Sequence, residues 1–219
     1  TGTTFTRSLL PRPNLTAGRK VFTYTGPITG TPNSNSPNLL ASSYTIKAEI
    51  EIPEGGGEGM IVTQGGRFAG YGFYLLKGKP VYVWNLFGMK HYRWEGKEAL
   101  TPGKHTLEFD FKYDGLGAET LVYGSPIGLG KSGTGYLKVD GKVVVEQKMK
   151  KTIPMLLQWC ESFDVGADTG SPVADEDYKT PFHFNGKLHK LTLTIDRPKL
   201  SDEDIKKIKE AVVAKSAAK

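Results

Sequence analysis

Five carboxylates fall between residues 164 and 177, in Asp164-Val-Gly-Ala-Asp168-Thr-Gly-Ser171 and Asp175-Glu176-Asp177. Hard cations such as calcium take carboxylate and carbonyl oxygens from flexible loops, so Asp164, Asp168, Asp175 and Asp177 form a candidate metal site. The spacing departs from the twelve-residue EF-hand pattern, and a turn-forming, solvated loop accounts for the same residues without a ligand. Two further acid pairs share strand faces, Glu49 with Glu51 and Glu108 with Asp110. Paired carboxylates on one face suit glycoside hydrolysis, but in the second strand the place of a third acid is taken by Lys112. A solvated strand face is the plain alternative. His91, His105, His183 and His189 stand in no serine-elbow or HExxH context, and Cys160, the single cysteine, offers neither an internal disulfide nor Cys/His metal spacing. No catalytic residue is assigned.

Aromatic side chains supply the other chemistry. Tyr71, Trp84, Tyr92 and Trp94 would give a sugar flat stacking surfaces if they lined the exposed face of a sheet. Their default place is the core, where they only pack.

The elements that must position these groups are strands. In Gly65 to Asn85 an apolar and aromatic run reaches Leu76, Gly78 allows a turn, and Pro80 starts a second run, which reads as a β-hairpin. Gly65, Gly66, Gly70 and Gly72 crowd its entry, which fits a bulge or tight crossing, or a ligand lying on bare backbone. Tyr44 to Ile52 alternates strictly, with Tyr44, Ile46, Ala48, Ile50 and Ile52 on the core face, and His105 to Tyr113 does the same through Leu107, Phe109, Phe111 and Tyr113. Asp140-Gly141 between Gly135 to Val139 and Lys142 to Glu146 is a strong two-residue hairpin signal. Shorter strands are expected at Arg19 to Thr25, with Val21 and Phe22 as its apolar members, at Met60 to Thr63, at Lys90 to Glu95, around Phe163 and Val165, and from Phe182 to Ile195 with a break at Asn185-Gly186. Gly26 to Pro37 reads as a surface loop and Thr120 to Gly135 as a Gly/Ser-rich excursion. Ser201 to Lys215 carries an N-cap, acids in its first turn, and Ile205, Ile208, Val212 and Val213 at helical spacing. It predicts an amphipathic helix packed on the sandwich edge or on a missing partner. Roughly ten short strands with turns between them predict an all-β fold, an antiparallel β sandwich or jelly roll with a C-terminal α-helix. The expected division is an irregular lead-in over 1–18, a sandwich over 19–198 and the helix segment over 199–219.

Composition narrows the function classes. With 219 residues, 27 Gly, 13 Pro and 38% hydrophobic residues the chain fits one loop-rich globular domain. No apolar run approaches the roughly 20 residues that span a bilayer, so no membrane span is expected. Thr1-Gly2-Thr3 reads as the start of a cut fragment or a processed chain, and Asn14-Leu15-Thr16 matches a glycosylation sequon that matters only in a eukaryotic secretory context. The formal charge of +6 comes from lysines interleaved with acids, so a solvated face is favoured and nucleic acid is not expected as a partner.

Five ordered segments carry a resemblance: Pro11 to Arg19, Glu58 to Phe68, Gly72 to Pro80, Pro102 to Gly115 and Phe163 to Val173. Together they resemble the C-terminal region of bacterial arylsulfatases. The resemblance implies a concanavalin A-like sandwich that follows a sulfatase catalytic domain, with that domain as partner and a periplasmic or secreted location. Sulfatases carry a Cys-x-Pro-x-Arg motif, whereas Cys160 is followed by Glu161-Ser162-Phe163-Asp164, so no formylglycine role passes to it and this chain alone is expected to lack sulfatase activity. Two roles stay open: an accessory module packing on a catalytic domain or another subunit, and a carbohydrate-binding, lectin-like module.

Overall fold

The computed structural model describes residues 15–16, 18–40, 42–115, 131–152, 161–196, 201–203, 206 and 210. In chain order the strands are β1 (Val21–Tyr24), β2 (Ile28–Thr31), β3 (Ser43–Ile52), β4 (Gly59–Gly66), β5 (Ala69–Leu76), β6 (Lys79–Leu86), β7 (Lys90–Glu95), β8 (Gly103–Tyr113), β9 (Gly133–Val139), β10 (Lys142–Met149), β11 (Phe163–Val165), β12 (Ala167–Asp168), β13 (Phe182–His183) and β14 (Lys187–Asp196). They pair into two sheets. The first has the order β1-β14-β3-β8-β9-β10, and the second runs β12-β13-β4-β5-β6-β7, with β11 also paired to β4 and β2 paired to β11. All pairs are antiparallel except the single β13–β4 bridge.

Alternation in β3 and β8 does what its period demands. Tyr44, Ile46, Ala48, Ile50 and Ile52 pack inward with Leu107, Phe109 and Phe111, while Lys47, Glu49 and Glu108 face outward. Opposite them, β5 to β7 send in Tyr71, Phe73, Leu75, Tyr82, Trp84, Tyr92 and Trp94, and together these side chains form the main core between the sheets. Its centre is aromatic: Tyr82 stacks on Phe109 with centroids 3.5 Å apart, and the Tyr82 hydroxyl bonds that of Tyr44 at 2.8 Å. The Asp140-Gly141 turn takes positive φ at both residues, 49° and 80°, as a two-residue hairpin between β9 and β10 requires.

The glycines at the entry to the β4–β5 hairpin serve close packing. A Cβ on Gly66 would lie 2.3 Å from the Ser171 hydroxyl, and one on Gly70 would lie 2.3 Å from the Gln64 carbonyl. The backbone crosses here with no room for a side chain, and chain rather than ligand occupies the space.

Several local expectations change. In β1 it is Phe22 that is buried, and Val21 is 52% exposed, because the strand pairs with β14 through a register that turns Phe22 inward. The loop predicted over Gly26 to Pro37 contains β2, which gains partners only from β11, about 130 residues away. The expected C-terminal helix lies mostly outside the described residues; Asp202, Glu203, Lys206 and Glu210 are helical and exposed, and Lys206 faces Glu210 one turn on at 3.9 Å. Cys160, Asn14, the lead-in up to Asn14, and Ile205, Ile208, Val212 and Val213 lie outside the described residues. No helix among the described residues is long and apolar enough to cross a membrane.

Candidate ligand-binding sites

The acidic segment is held by the protein's own donors. Asp164, on β11 and 1% exposed, accepts from the Gly30 amide at 2.7 Å, the Ser162 hydroxyl at 2.7 Å and the Thr169 amide at 3.1 Å. Asp168, on β12, accepts from the Tyr178 hydroxyl at 2.6 Å and the Gly170 amide at 3.2 Å. Burial pushes the Asp168 carboxyl up to about 6 against the pull of these hydrogen bonds, and the charges of Asp164 and Glu161 add to the rise.

The three consecutive acids that follow each meet a basic side chain of the second sheet or its turns. Arg67 forks onto Asp175 at 2.6 and 2.7 Å, His91 Nδ1 lies 3.0 Å from Glu176, and Arg93 pairs with Asp177, which also accepts from the Tyr74 hydroxyl. Burial works against the Arg93 guanidinium, but its hydrogen bonds to Asp177 and Glu95 raise its pKa overall. These pairs tie residues 169–181 across the outer face of β4 to β6. Val173, Ala174 and Tyr178 close over Met60, Tyr74, Val81 and Val83 as a second, smaller core. Asp164, Asp168, Asp175 and Asp177 therefore do not converge on one point, and among the described residues no group of three or more acids, histidines or cysteines could hold a metal ion.

The four candidate sugar-stacking aromatics do not reach solvent. Tyr71, Trp84, Tyr92 and Trp94 are 2%, 3%, 4% and 0% exposed, on the inner faces of β5, β6 and β7. Trp94 donates to the Gly135 carbonyl at 2.9 Å, and Tyr71 and Trp84 stack on each other across the strands, with the Tyr71 hydroxyl and Trp84 Nε1 unpartnered. A ring with both faces in the core has none to offer a sugar, so the stacking role assigned to these residues is corrected. The outer face of β4 to β6 is in any case closed by the 169–181 strap.

The open sheet face is that of the first sheet. Its centre is charged and internally paired: Lys138 reaches Glu108 at 2.6 Å, while Asp110 accepts from Thr45 at 2.9 Å and faces Lys112 at 3.1 Å. The Glu108 and Asp110 pair is thereby engaged by hydroxyl and ammonium groups rather than poised about a scissile bond.

At the end of this face, where β3 finishes and β8 and β14 begin, lies a polar groove of about 390 Å³ lined by Glu49, Ile50, Lys104, His105, Thr106, Asp140 and His189. One wall is the β9–β10 turn. Asp140 accepts from the Thr106 amide at 2.7 Å and from His105 Nδ1 at 2.8 Å, and His105 Nε2 lies 2.9 Å from the Thr101 carbonyl. Burial disfavours the Asp140 carboxylate, but the Thr106 amide and His105 outweigh it and hold its pKa low. The other wall is His189, thrown outward by a register shift between Leu188 and Lys190 in β14, with Nε2 2.8 Å from Glu51. That hydrogen bond lowers the Glu51 carboxyl.

Glu49 and Lys104 differ from these braced groups. Both are exposed, and among the described residues neither has a hydrogen-bond or ion-pair partner; Lys104 acts on Glu51 only at longer range. A free carboxylate and a free ammonium thus stand between walls whose own polar groups are already fixed. Sequence reading noticed Glu49 only as half of an acid pair and Asp140 only as a turn former. The cross-strand register that brings Lys104, Thr106, Asp140 and His189 beside Glu49 had no local signal.

No family model matches the chain, and no curated protein matches it. Among solved structures it is similar to the CBM40 of a Ruminococcus gnavus IT-sialidase, at 14% identity and a TM-score of 0.49 over 87% of this chain and 98% of that one. The same module bound to α2,3-sialyllactose gives 13% identity and a TM-score of 0.48 over 84% and 95%. A botulinum neurotoxin serotype D ligand-binding domain in complex with N-acetylneuraminic acid gives 12% identity and a TM-score of 0.40 over 87% and 42%. Likeness at this level concerns general architecture only. None of these is a sulfatase, and with no sequence match to that family the resemblance to arylsulfatase C-terminal regions is withdrawn, and with it a sulfatase catalytic domain as partner.

Proposed function

We propose that this chain is a carbohydrate-binding, lectin-like module whose site is the polar groove at the end of the first sheet. The observation that carries the reading is the pairing of unpartnered Glu49 and Lys104 with walls already braced by the His105–Asp140 and His189–Glu51 contacts. Sugar hydroxyls donate and accept, so a carboxylate and an ammonium lining one groove satisfy both halves of their hydrogen bonding. Walls that are fixed before the ligand arrives lose little entropy on binding. The groove is shallow and open, which suits a ligand that keeps much of its surface in water.

The test is a glycan-array screen of the 219-residue chain that includes lactose, α2,3-sialyllactose and sulfated oligosaccharides, followed by titration calorimetry on the array hits. Glu49→Gln and Lys104→Ala should each weaken binding roughly tenfold, the usual scale for a hydrogen bond to a charged group. Both residues are exposed and unpartnered, so neither change should disturb the fold. Absence of saturable binding to any glycan, or binding indifferent to both substitutions, would overturn the reading.

A further inference from the structure

The end of the sandwich opposite the groove carries a second feature. The groove end is fixed to the start of β4, because Gly186 packs against the Glu51 carbonyl and the Asn185 amide bonds the Glu58 carbonyl at 3.0 Å. From there β4 runs away to Gly66, so the Arg67-Phe68 turn lies at the far end, beside the Phe87-Gly88-Met89 turn of β6 and β7. Phe68 is 78% exposed and Met89 72%. Among the described residues Phe68 is the one exposed aromatic.

These turns are braced. Asn85, fully buried, places Nδ2 at 3.1, 2.9 and 3.1 Å from the carbonyls of Gly66, Arg67 and Val173, which share its two hydrogens, and its Oδ1 accepts from the Gly88 amide at 2.7 Å. One side chain thus locks both hairpin tips to each other and to the 169–181 strap. An aromatic ring held out in water on a fixed backbone loses little freedom when something lies on it.

Physical size and charge select the occupant. Two exposed side chains fall far short of the roughly 800 Å² that each partner buries in a stable protein interface. An anionic lipid surface calls for a cluster of unopposed cations, and here Arg67 faces Asp175 while Lys90 alone beside the tip has no ion pair among the described residues. A pyranose has an apolar C–H face the size of one aromatic ring and a rim of hydroxyls. Phe68 supplies the face, and the Arg67–Asp175 fork beside it supplies in-plane donors and acceptors. We propose that Phe68, flanked by Met89 and the Arg67–Asp175 pair, is a second carbohydrate subsite that stacks a sugar ring, which would make the module bivalent with one site at each end. The proposal rests on the carbohydrate-binding reading.

Calorimetry and amide chemical-shift mapping with lactose and α2,3-sialyllactose test it. The expected result is shifts at Arg67, Phe68 and Gly88 that are separate from those at Lys104 and Thr106. Phe68→Ala should weaken that binding step roughly 2- to 10-fold, the scale of one aromatic contact, and shrink the first set of shifts at a fixed glycan concentration, while the groove step is unchanged. Phe68→Trp should keep the site and give an indole whose emission shifts on titration. Binding with shifts confined to the groove overturns the second subsite and leaves the first reading standing. No binding of either glycan, or a Phe68→Trp emission that never moves, overturns it as well.

Discussion

Asn85 illustrates how much one buried amide can organise. It sits between two hairpin tips with both polar atoms engaged, its two amide hydrogens shared among three carbonyls and its oxygen accepting from one amide. A buried polar group left without its partner costs about 1–3 kcal/mol. Asn85→Ala orphans several such groups, so a loss near the top of that range is expected in chemical denaturation, together with faster amide exchange at Gly88. A loss below about 0.5 kcal/mol would mean that water replaces the side chain at this site. Nothing local in the sequence marks Asn85, which sits at the end of an apolar run as any strand-terminating residue might. The signal is the set of carbonyls it meets, and these come from residues 18 and 88 positions away.

At the scale of elements, the 169–181 strap contrasts two ion pairs that look alike in sequence. Arg67 and Asp175 are about half exposed, and solvent-screened pairs contribute at most about 1 kcal/mol. Asp177 is only 9% exposed, so removing Arg93 would leave a largely buried carboxylate facing the Tyr74 hydroxyl alone. Arg93→Ala is therefore expected to destabilise by about 3 kcal/mol and Arg67→Ala by less than about 1, measured by urea unfolding. Equal effects would show that the strap is held by Val173, Ala174 and Tyr178 rather than by its acids. The β4–β5 hairpin gives a second prediction. A Cβ at Gly70 meets the Gln64 backbone oxygen, which has no flexible end to move aside, so Gly70→Ala should lower stability by about 2–3 kcal/mol. An unchanged midpoint would mean that the turn re-forms in another register.

Alternation made β3 and β8 legible, since one face of each meets the core and the other meets water, while the Asp140-Gly141 turn marked the β9–β10 hairpin. It failed for β4 to β6, whose two faces are both covered. Continuous apolar runs such as Gly70 to Leu76 say that a strand is buried on both sides, but not by what. The cover is the acidic strap, and its acids read as a metal loop because their partners Arg67, His91 and Arg93 lie 84 to 108 residues away.

For the whole molecule, these carboxylates set the pH dependence of stability. Asp168 is held up to about 6 in the folded chain, above the value near 4 of an unfolded aspartate, so the native state binds the extra proton between these values. Its contribution to stability therefore rises as pH falls from 7 toward 4. Asp114 and Asp140 are shifted the other way, Asp114 by hydrogen bonds from Lys148 and Ser132, and Asp140 by the Thr106 amide and His105, which outweigh its burial. Their stabilisation is complete above about pH 4 and is lost below it. The windows barely overlap, so on this count stability should be greatest between about pH 4 and 6. Thermal unfolding at pH 7, 6, 5 and 3 reads the curve, and Asp168→Asn isolates its upper half. Asparagine keeps an acceptor for the Gly170 amide or the Tyr178 hydroxyl but does not titrate. The stability of the variant relative to the native chain should be most favourable at pH 7, where native Asp168 is a buried carboxylate, and should fall toward pH 5, where native Asp168 carries its proton. A difference that stays constant from pH 7 to 5 would show that Asp168 does not change its protonation over that range.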